Sequence, residues 1–243
     1  MSTPTRHLRR SLVYRQLEKL GAEFEAVADA AVALRFSSNS EEQELQAARY
    51  LGIADLSPLA RTGFKGRDTL AWLQAQGLSA PEVPNRARRQ PDGSLLARLS
   101  NDEFLCLSDL GANGDTVMRL HDAWQFDNNI RCYPVPRADS HCWLAVSGAD
   151  AAEMLAKLCA IDLRRHQFAD GRIAQTSVAR INAIVIRHDL GATLGFYLLA
   201  DSASADYLWS CVGDAIREYD GALVGLGVLR YLDSEPGAGE FDP

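Results

Sequence analysis

Paired cysteines are absent from the sequence. Its 243 residues include five cysteines, widely spaced and never in a C-x-x-C pair: Cys106, Cys132, Cys142, Cys159 and Cys211. Such a set predicts neither a disulfide framework nor a cysteine-ligated zinc site. The five histidines lack the H-x-x-x-H and H-E-x-x-H spacings, so no metal site is predicted. We expect reduced and mostly buried thiols, because a free cysteine behaves as a small apolar residue.

Long apolar runs are also missing. No stretch approaches the roughly 20 apolar residues that span a bilayer, and the N-terminal residues lack the apolar centre of a secretory signal. The expectation is therefore a cytoplasmic protein without membrane contact. Positive charge is scarce as well, since the formal net charge is −7. Nucleic acid is not an expected partner, because phosphate backbones attract clustered lysine and arginine.

Familiar catalytic fingerprints are absent too. The sequence has no G-x-S-x-G elbow, no G-x-x-x-x-G-K-[ST] phosphate loop and no G-x-G-x-x-G after a predicted strand. These absences argue against a serine hydrolase of that type, a P-loop enzyme and a dinucleotide-binding fold. We predict no catalytic residue on this chain, and we expect it to work as one subunit of a larger enzyme.

The composition of the sequence is that of an ordinary globular protein, with 47% hydrophobic and 23% charged residues. Apolar spacing predicts helices at 11–20, 41–50, 67–76, 115–125, 151–158 and 203–219. The helix at 41–50 follows a serine-rich stretch, 37–40, that offers an N-cap. Strands are predicted at 31–36, 95–99, 104–107, 143–148 and 196–200, with two brief strands within 53–64, more strands within 173–186, and a strand plus connection within 127–139. The mixture predicts an α+β fold.

Proline and glycine mark the irregular parts. Three prolines within residues 81–93 predict a loop there. The segment from residue 234 is rich in glycine, proline and acidic residues, which predicts a disordered tail at 234–243. Residues 1–20 are predicted to be an N-terminal extension and 21–233 the folded unit.

One short pattern occurs twice. A strand, a Gly-x-Asp turn and an apolar helix follow one another at Gly66 and Asp68, and again at Gly148 and Asp150, 82 residues further on. Aspartate is a good N-cap for the helix that follows, which gives the match a physical reason. We predict an internal duplication with possible lobes at 21–140 and 141–233. The inward positions of its two helices would be Leu70, Leu73, Leu155 and Leu158.

The loop at 186–197 has two interpretations. Its two glycines, Gly191 and Gly195, lie between apolar strands, which is typical of a hairpin turn that needs positive φ. Alternatively, Arg187 at the end of a strand pairs with a ligand carboxylate.

Five segments in a fixed order resemble one protein family. They are 48–57 (ARYLGIADLS), 61–73, 97–107, 146–155 (VSGADAAEML) and 187–196, the last followed by Leu208 and Trp209. The sequence thus resembles the folate-binding family that contains glycine-cleavage aminomethyltransferase, the bacterial folate-binding iron–sulfur assembly protein and the gamma subunit of heterotetrameric sarcosine oxidase. Segments 63–66, 84–87 and 92–99 look closest to the gamma-subunit branch. The resemblance implies a two-lobed, internally duplicated fold with antiparallel sheets and packed helices.

The resemblance also implies where a folate site would lie. Active aminomethyltransferases carry a paired Asp-Asp where this sequence has only Asp92, which a turn before glycine explains equally well. The family's R-T-G-Y-T-G-E-x-G-[FY]-E loop begins here with Arg187 but ends in Tyr197 instead of the glutamate that holds the pterin. A phenol cannot replace the paired acceptors of a carboxylate. The K-G-C-Y-x-G-Q motif of the iron–sulfur branch is missing, and no C-terminal barrel is expected.

The function implied by the resemblance is that of a non-catalytic gamma-type subunit. Its oxidase would depend on FAD and tetrahydrofolate and act on sarcosine or another N-methyl amino acid. FAD is expected on flavoprotein partner subunits, and tetrahydrofolate remains possible on this chain through Asp92, Arg187 and Tyr197. Two alternatives stay open, a free-standing folate-dependent aminomethyl or methyl transferase and a ligand-free interaction domain.

Overall fold

A computed structural model describes residues 3–236 of the chain. In this part of the chain the α-helices are α1 (Tyr14–Lys19), α2 (Glu41–Leu51), α3 (Thr69–Ala75), α4 (Thr116–Ala123), α5 (Arg137–Ser140), α6 (Ala151–Leu155), α7 (Ala205–Arg217) and α8 (Leu226–Ser234). Short 3-10 turns lie at Pro4–Arg6 and Ser202–Ser204. No helix in residues 3–236 is long and apolar enough to cross a membrane.

The strands form three sheets. The first, in the order β1-β3-β2, contains β1 (Arg9–Arg10), β2 (Ala22–Val27) and β3 (Ala30–Phe36). The second, in the order β6-β7-β8-β5-β9, contains β5 (Arg61–Lys65), β6 (Arg86–Arg89), β7 (Leu95–Arg98), β8 (Glu103–Leu107) and β9 (Tyr133–Val135). The third, in the order β11-β12-β13-β10-β4-β14, contains β4 (Gly52–Asp55), β10 (His141–Ser147), β11 (Ile173–Val178), β12 (Ile181–Arg187), β13 (Gly195–Asp201) and β14 (Ala222–Leu223).

The predicted duplication is visible in the sheets. The antiparallel block β6-β7-β8-β5 has the same order and chain direction as the block β11-β12-β13-β10. The glycine after β5 donates its N–H to the carbonyl that precedes β8, and the glycine after β10 does the same to the carbonyl that precedes β13, both at 2.8 Å. These glycines are Gly66, with φ +141°, and Gly148, with φ +111°. Each is required, because a Cβ there would overlap a backbone carbonyl, that of Arg131 or Tyr50.

The two halves exchange one strand each. β4 precedes β5 in sequence but pairs with β10, whereas β9 precedes β10 but pairs with β5. The pairing is equivalent, since Ala54 lies opposite Ala145 and Val135 lies opposite Gly63. The lobes therefore interlock. The limits at residues 140 and 141 remain a prediction, and strand pairing crosses them in both directions.

Arg61 anchors the crossing point of the two halves. Its side chain is 4% exposed and donates to five carbonyl oxygens. Two belong to the connection between β4 and β5, Ser57 at 2.7 Å and Leu59 at 2.9 Å. The other three lie around α5, on Arg137 at 3.1 Å, on Ala138 at 2.7 Å and on His141. One guanidinium thus joins the segment that leaves β4 to the segment that leaves β9.

Apolar side chains form three clusters. The largest lies under α6 and α7 and contains Leu155, 0% exposed. A second fills the space between the two large sheets and α8, around Trp143 and Leu229. A smaller third cluster holds Leu73, 0% exposed, between the second sheet and α3 and α4. Leu73 and Leu155 are inward as predicted, while Leu70 and Leu158 pack half-buried at the cluster edges.

The α+β prediction is confirmed, and most predicted elements are present. The N-cap before α2 is a capping box formed by Ser40 and Gln43. The prediction of a loop throughout 81–93 is wrong at β6, which pairs with β7 and continues toward the third sheet through a bridge between Arg86 and Arg172. Neither β2 nor α8 was predicted.

The chain ends were expected to lie outside the folded unit. Val13 and Leu17 are buried in the largest cluster although they belong to the predicted extension 1–20. The predicted tail at 234–243 starts with the last residue of α8, and Glu235 forms an ion pair with Arg49 at 2.5 Å. Its remainder, 237–243, lies outside the described residues. The limits 1–20, 21–233 and 234–243 stay predictions.

Candidate functional site

Arg187, at the end of β12, uses four of the five N–H groups of its guanidinium on neighbouring protein groups. It forms a two-pronged pair with Asp189, with Nε to Oδ1 at 2.9 Å and Nη2 to Oδ2 at 2.6 Å. Nη1 donates to the carbonyls of Arg165 at 3.1 Å and Phe168 at 2.5 Å. The contact with Asp189 raises the pKa of Arg187 above its usual value. The residue therefore closes the turn after β12 onto residues 165–168, and Asp189 occupies the Nε–Nη2 edge that would form a two-pronged pair with a ligand carboxylate.

Tyr197, on β13 beside Arg187, is 3% exposed. Its ring packs edge-on against Trp143, with centroids 5.1 Å apart and planes at 81°, and also contacts His188 at 5.1 Å. Burial raises the pKa of Tyr197 and lowers that of His188, so both side chains are neutral near pH 7. A neutral phenol between two rings does not supply a carboxylate's paired acceptors to a pterin.

Asp92 lies in the turn between β6 and β7, where it organises local backbone. Oδ1 accepts from the amide and hydroxyl of Ser94, at 3.1 and 2.7 Å, and Oδ2 accepts from the amide of Thr116 at 3.1 Å. Burial opposes ionisation of Asp92, but these hydrogen bonds together outweigh it and lower its pKa. Because Thr116 begins α4, Asp92 caps that helix from a distant turn.

The three predicted site residues are not brought together. Arg187 and Tyr197 lie on adjacent paired strands, Arg187 opposite Phe196 and Tyr197 opposite Ile186. Asp92 contacts only its own turn and the start of α4. The sequence analysis did not predict the ion pair of Arg89 with Asp233, in which Nη1 lies 2.8 Å from Oδ1 and Nη2 lies 2.6 Å from Oδ2. The charges of this pair influence the pKa of Tyr197. Finding this pair required α8, which carries Asp233.

The surface of residues 3–236 includes three clefts that Asp92, Arg187 and Tyr197 do not line. One, of about 580 Å³, lies beside the turn before α6 and is crossed by the Arg49–Glu235 pair. Another, of about 730 Å³, lies between α2, β3 and α8. The third, of about 440 Å³, is a polar face of β11 and β12 next to His141.

Among residues 3–236 no group of three or more His, Cys, Asp or Glu side chains is placed to hold a metal ion. All five cysteines are free, and all except the half-buried Cys211 are buried. Burial raises the pKa of Cys106 to about 12 and that of Cys142 to about 11, which keeps both thiols protonated at neutral pH.

Comparison with known proteins gives a family match and curated relatives. The GCVT N-terminal domain family matches residues 13–241. Curated relatives include an aminomethyltransferase from Acidobacterium capsulatum, 23% identical over 76% of this chain and 51% of its own length, and one from Exiguobacterium sibiricum, 27% identical over 82% and 56%. The chain thus spans about half the length of the curated relatives it matches.

Two solved structures share the fold. Aminomethyltransferase T of the glycine cleavage system from Bartonella henselae superposes with a TM-score of 0.69 at 19% identity, over 93% of this chain and 62% of that one. A chain of heterotetrameric sarcosine oxidase from Corynebacterium sp. U-96, in complex with pyrrole 2-carboxylate, superposes with a TM-score of 0.64 at 19% identity, over 89% of this chain and 98% of that one. Because the family match covers nearly the whole sequence, the chain belongs to the GCVT N-terminal domain family and has the aminomethyltransferase fold.

Proposed function

We propose that the chain is a non-catalytic, gamma-type subunit of a cytoplasmic, heteromeric oxidase that depends on FAD and tetrahydrofolate. Its substrate would be sarcosine or another N-methyl amino acid. One observation carries the proposal: the fold superposes on a chain of a heterotetrameric sarcosine oxidase over 89% of this chain and 98% of that one.

The chemistry of the expected folate residues supports a non-catalytic role. Arg187 donates hydrogen bonds to Asp189 and to two backbone carbonyls, and Tyr197 packs between Trp143 and His188. Both carboxylate oxygens of Asp92 accept hydrogen bonds, one within its turn and one from the start of α4. Each of these side chains stabilises the fold where the family's active members would bind or react. These residues, as placed, do not fit a pterin, so we expect no tight tetrahydrofolate site formed by them, and FAD is expected on the partner subunits.

The first expected result concerns activity and partners. Purified alone, the chain should not consume oxygen with sarcosine, whereas the complex obtained by co-expression with its neighbouring genes should contain a flavoprotein and consume oxygen. The described residues present no dinucleotide fingerprint, which is why flavin is expected elsewhere. Oxygen electrode traces and the flavin absorbance of the co-purified complex provide the measurement. Sarcosine turnover by the isolated chain would overturn the proposal, and so would its failure to associate with any flavoprotein.

The second expected result concerns tetrahydrofolate. Titration calorimetry of the isolated chain should show a Kd no tighter than about 1 mM, roughly −4 kcal/mol. The reason is that Arg187 would have to break its pair with Asp189 before it could bind a ligand. Micromolar binding that disappears in Arg187→Ala, but survives in the exposed control Arg217→Ala, would instead favour a free-standing folate-dependent transferase.

A further inference from the structure

A cleft of about 730 Å³ lies between α2, β3 and α8, and we refer to it as the α2–α8 cleft. Its floor is apolar and incompletely covered. Leu34, Leu45 and Val228 are half-buried there, and Tyr231 at its edge is 53% exposed. Half-exposed apolar side chains around one concavity are typical of a surface that a partner covers.

The rim of the α2–α8 cleft is acidic. Glu23, Glu41 and Glu42 line it together with Arg35 as the cation. Arg35 contacts Glu23 at 2.5 Å and Glu41 at 3.9 Å, whereas no cation in residues 3–236 lies within 4.0 Å of the carboxylate of Glu42. The start of α2 favours Glu41 and Glu42 through the helix dipole. The dipole explains why these glutamates are tolerated, but their excess negative charge still faces the cleft.

The walls of the cleft are fixed by buried hydrogen bonds. Glu44, 3% exposed, accepts from the amide of Phe36 at 2.5 Å and from that of Gly225 at 3.0 Å, so it joins α2 to the end of β3 and the start of α8. The capping box of Ser40 and Gln43 holds the first turn of α2. A cleft held in this way binds without first being ordered, which favours affinity.

We propose that the α2–α8 cleft docks a basic, amphipathic segment of the flavoprotein partner. Apolar side chains of that segment would cover Leu34, Val228 and Tyr231, while its lysines or arginines would face Glu41 and Glu42. Tyr231 is the expected anchor, because a tyrosine contributes a large contact area at low entropic cost. The proposal rests on the proposed function, since it names where that partner is held.

Four variants of the full-length chain test this surface. Tyr231→Ala removes the anchor, and its matched control is Tyr207→Ala on α7, where the tyrosine is 49% exposed. Glu42→Lys reverses a rim charge, and its matched control is Glu18→Lys, on the exposed side of α1. Binding of each to the purified flavoprotein is measured by biolayer interferometry at low and high salt. Melting curves establish that each variant is folded.

We expect Tyr231→Ala and Glu42→Lys each to weaken binding at least 10-fold, and the two controls to change it less than 2-fold. The loss in Glu42→Lys should appear mainly as slower association and should shrink at high salt, because a rim charge steers encounter. If all four variants bind like the original chain, the cleft is not the docking site, although the proposed function survives. A chain that binds no flavoprotein at all refutes the proposed function as well as its docking site.

A second arm does not depend on the flavoprotein. Fluorescence anisotropy with a labelled 18-residue helical peptide of leucine and lysine, about 27 Å long, should show binding that Tyr231→Ala and Glu42→Lys weaken and the controls do not. The same peptide with glutamate for lysine should not bind. Equal binding by every variant would mean that the peptide binds elsewhere, equal weakening by Glu42→Lys and Glu18→Lys would mean that net charge alone attracts it, and either result would overturn the assignment of the cleft.

Discussion

Replacing Arg61 by alanine should lower the free energy of unfolding by about 4 to 5 kcal/mol, a loss reserved for a few kinds of buried contact. All five N–H groups of its guanidinium are used on carbonyl oxygens, in a site where the side chain is 4% exposed. Each buried carbonyl left without a donor costs about 1 to 3 kcal/mol, and partial relaxation reduces the total. Against a usual stability of roughly 5 to 15 kcal/mol, this change removes a large share.

The charge of Arg61 is part of the effect. Burial lowers its pKa to about 10, which still leaves the guanidinium protonated at pH 7. Nearby Asp55 is buried too, and burial raises its pKa. Asp55 accepts from Ser57 and favours the positive charge of Arg61 through space. Arg61→Lys keeps a cation but has one nitrogen with three donors, so it should recover only about half of the loss.

Urea denaturation followed by circular dichroism measures both Arg61 variants. The control is Arg217→Ala on α7, where the side chain is 73% exposed and its pair with Asp214 spans one helical turn. That change should cost no more than about 0.5 kcal/mol. A loss below about 1 kcal/mol in Arg61→Ala, with an unchanged m-value, would mean that water replaces the guanidinium and that the crossing point does not depend on it.

Local periodicity predicted the helices with a clear apolar face, and the Gly-x-Asp pattern predicted the duplication. The strand exchange between the two halves could not be predicted from the sequence. β4 and β9 are each four residues or fewer, and whether such a strand pairs with its own half or the other depends on contacts made far along the chain. Register and pairing partner are not encoded in the apolar pattern of so short a strand.

The missed elements have a common physical cause. β6 reads Arg-Ala-Arg-Arg between prolines, which locally resembles a solvated loop, and it becomes a strand because β7 offers a partner. α8 follows Gly225 and contains Gly227, a residue that weakens helices in isolation. Its Leu226, Leu229 and Leu232 are fully buried, so packing overrides the weak propensity.

The sequence indicated three candidate site residues, which stay a prediction, but not the contacts that each of them makes. The Arg187 loop is a turn after β12, as one of its two interpretations held. What sequence alone could not supply was the partner of each side chain. Asp189, two residues from Arg187, forms an ion pair with it. The turn that contains Asp92 contacts the start of a helix that begins 24 residues later in the chain. Contacts of this kind decide whether the hydrogen-bonding groups of a polar residue remain available to a ligand.

Leu73→Ala and Leu155→Ala should each cost about 2 to 5 kcal/mol, the range for removing a fully buried leucine. Both side chains are 0% exposed, and both lie five residues after the aspartate of the repeated Gly-x-Asp turn. Equivalent positions in the two halves should therefore lose comparable stability. The exposed Leu20, at 51%, supplies a control whose truncation should cost less than about 0.5 kcal/mol.

A double variant, Leu73→Ala with Leu155→Ala, tests whether the two leucines affect each other's contribution to stability. Leu73 packs with Phe64 and Phe104 in the small cluster, whereas Leu155 packs in the large cluster under α7. Residues that share no neighbours have costs that add within about 0.5 kcal/mol. Urea melts of the two single variants and the double variant should therefore show additive losses. Strongly unequal single losses would argue against equivalent helices, and non-additive losses would mean that the two clusters respond to truncation as one core.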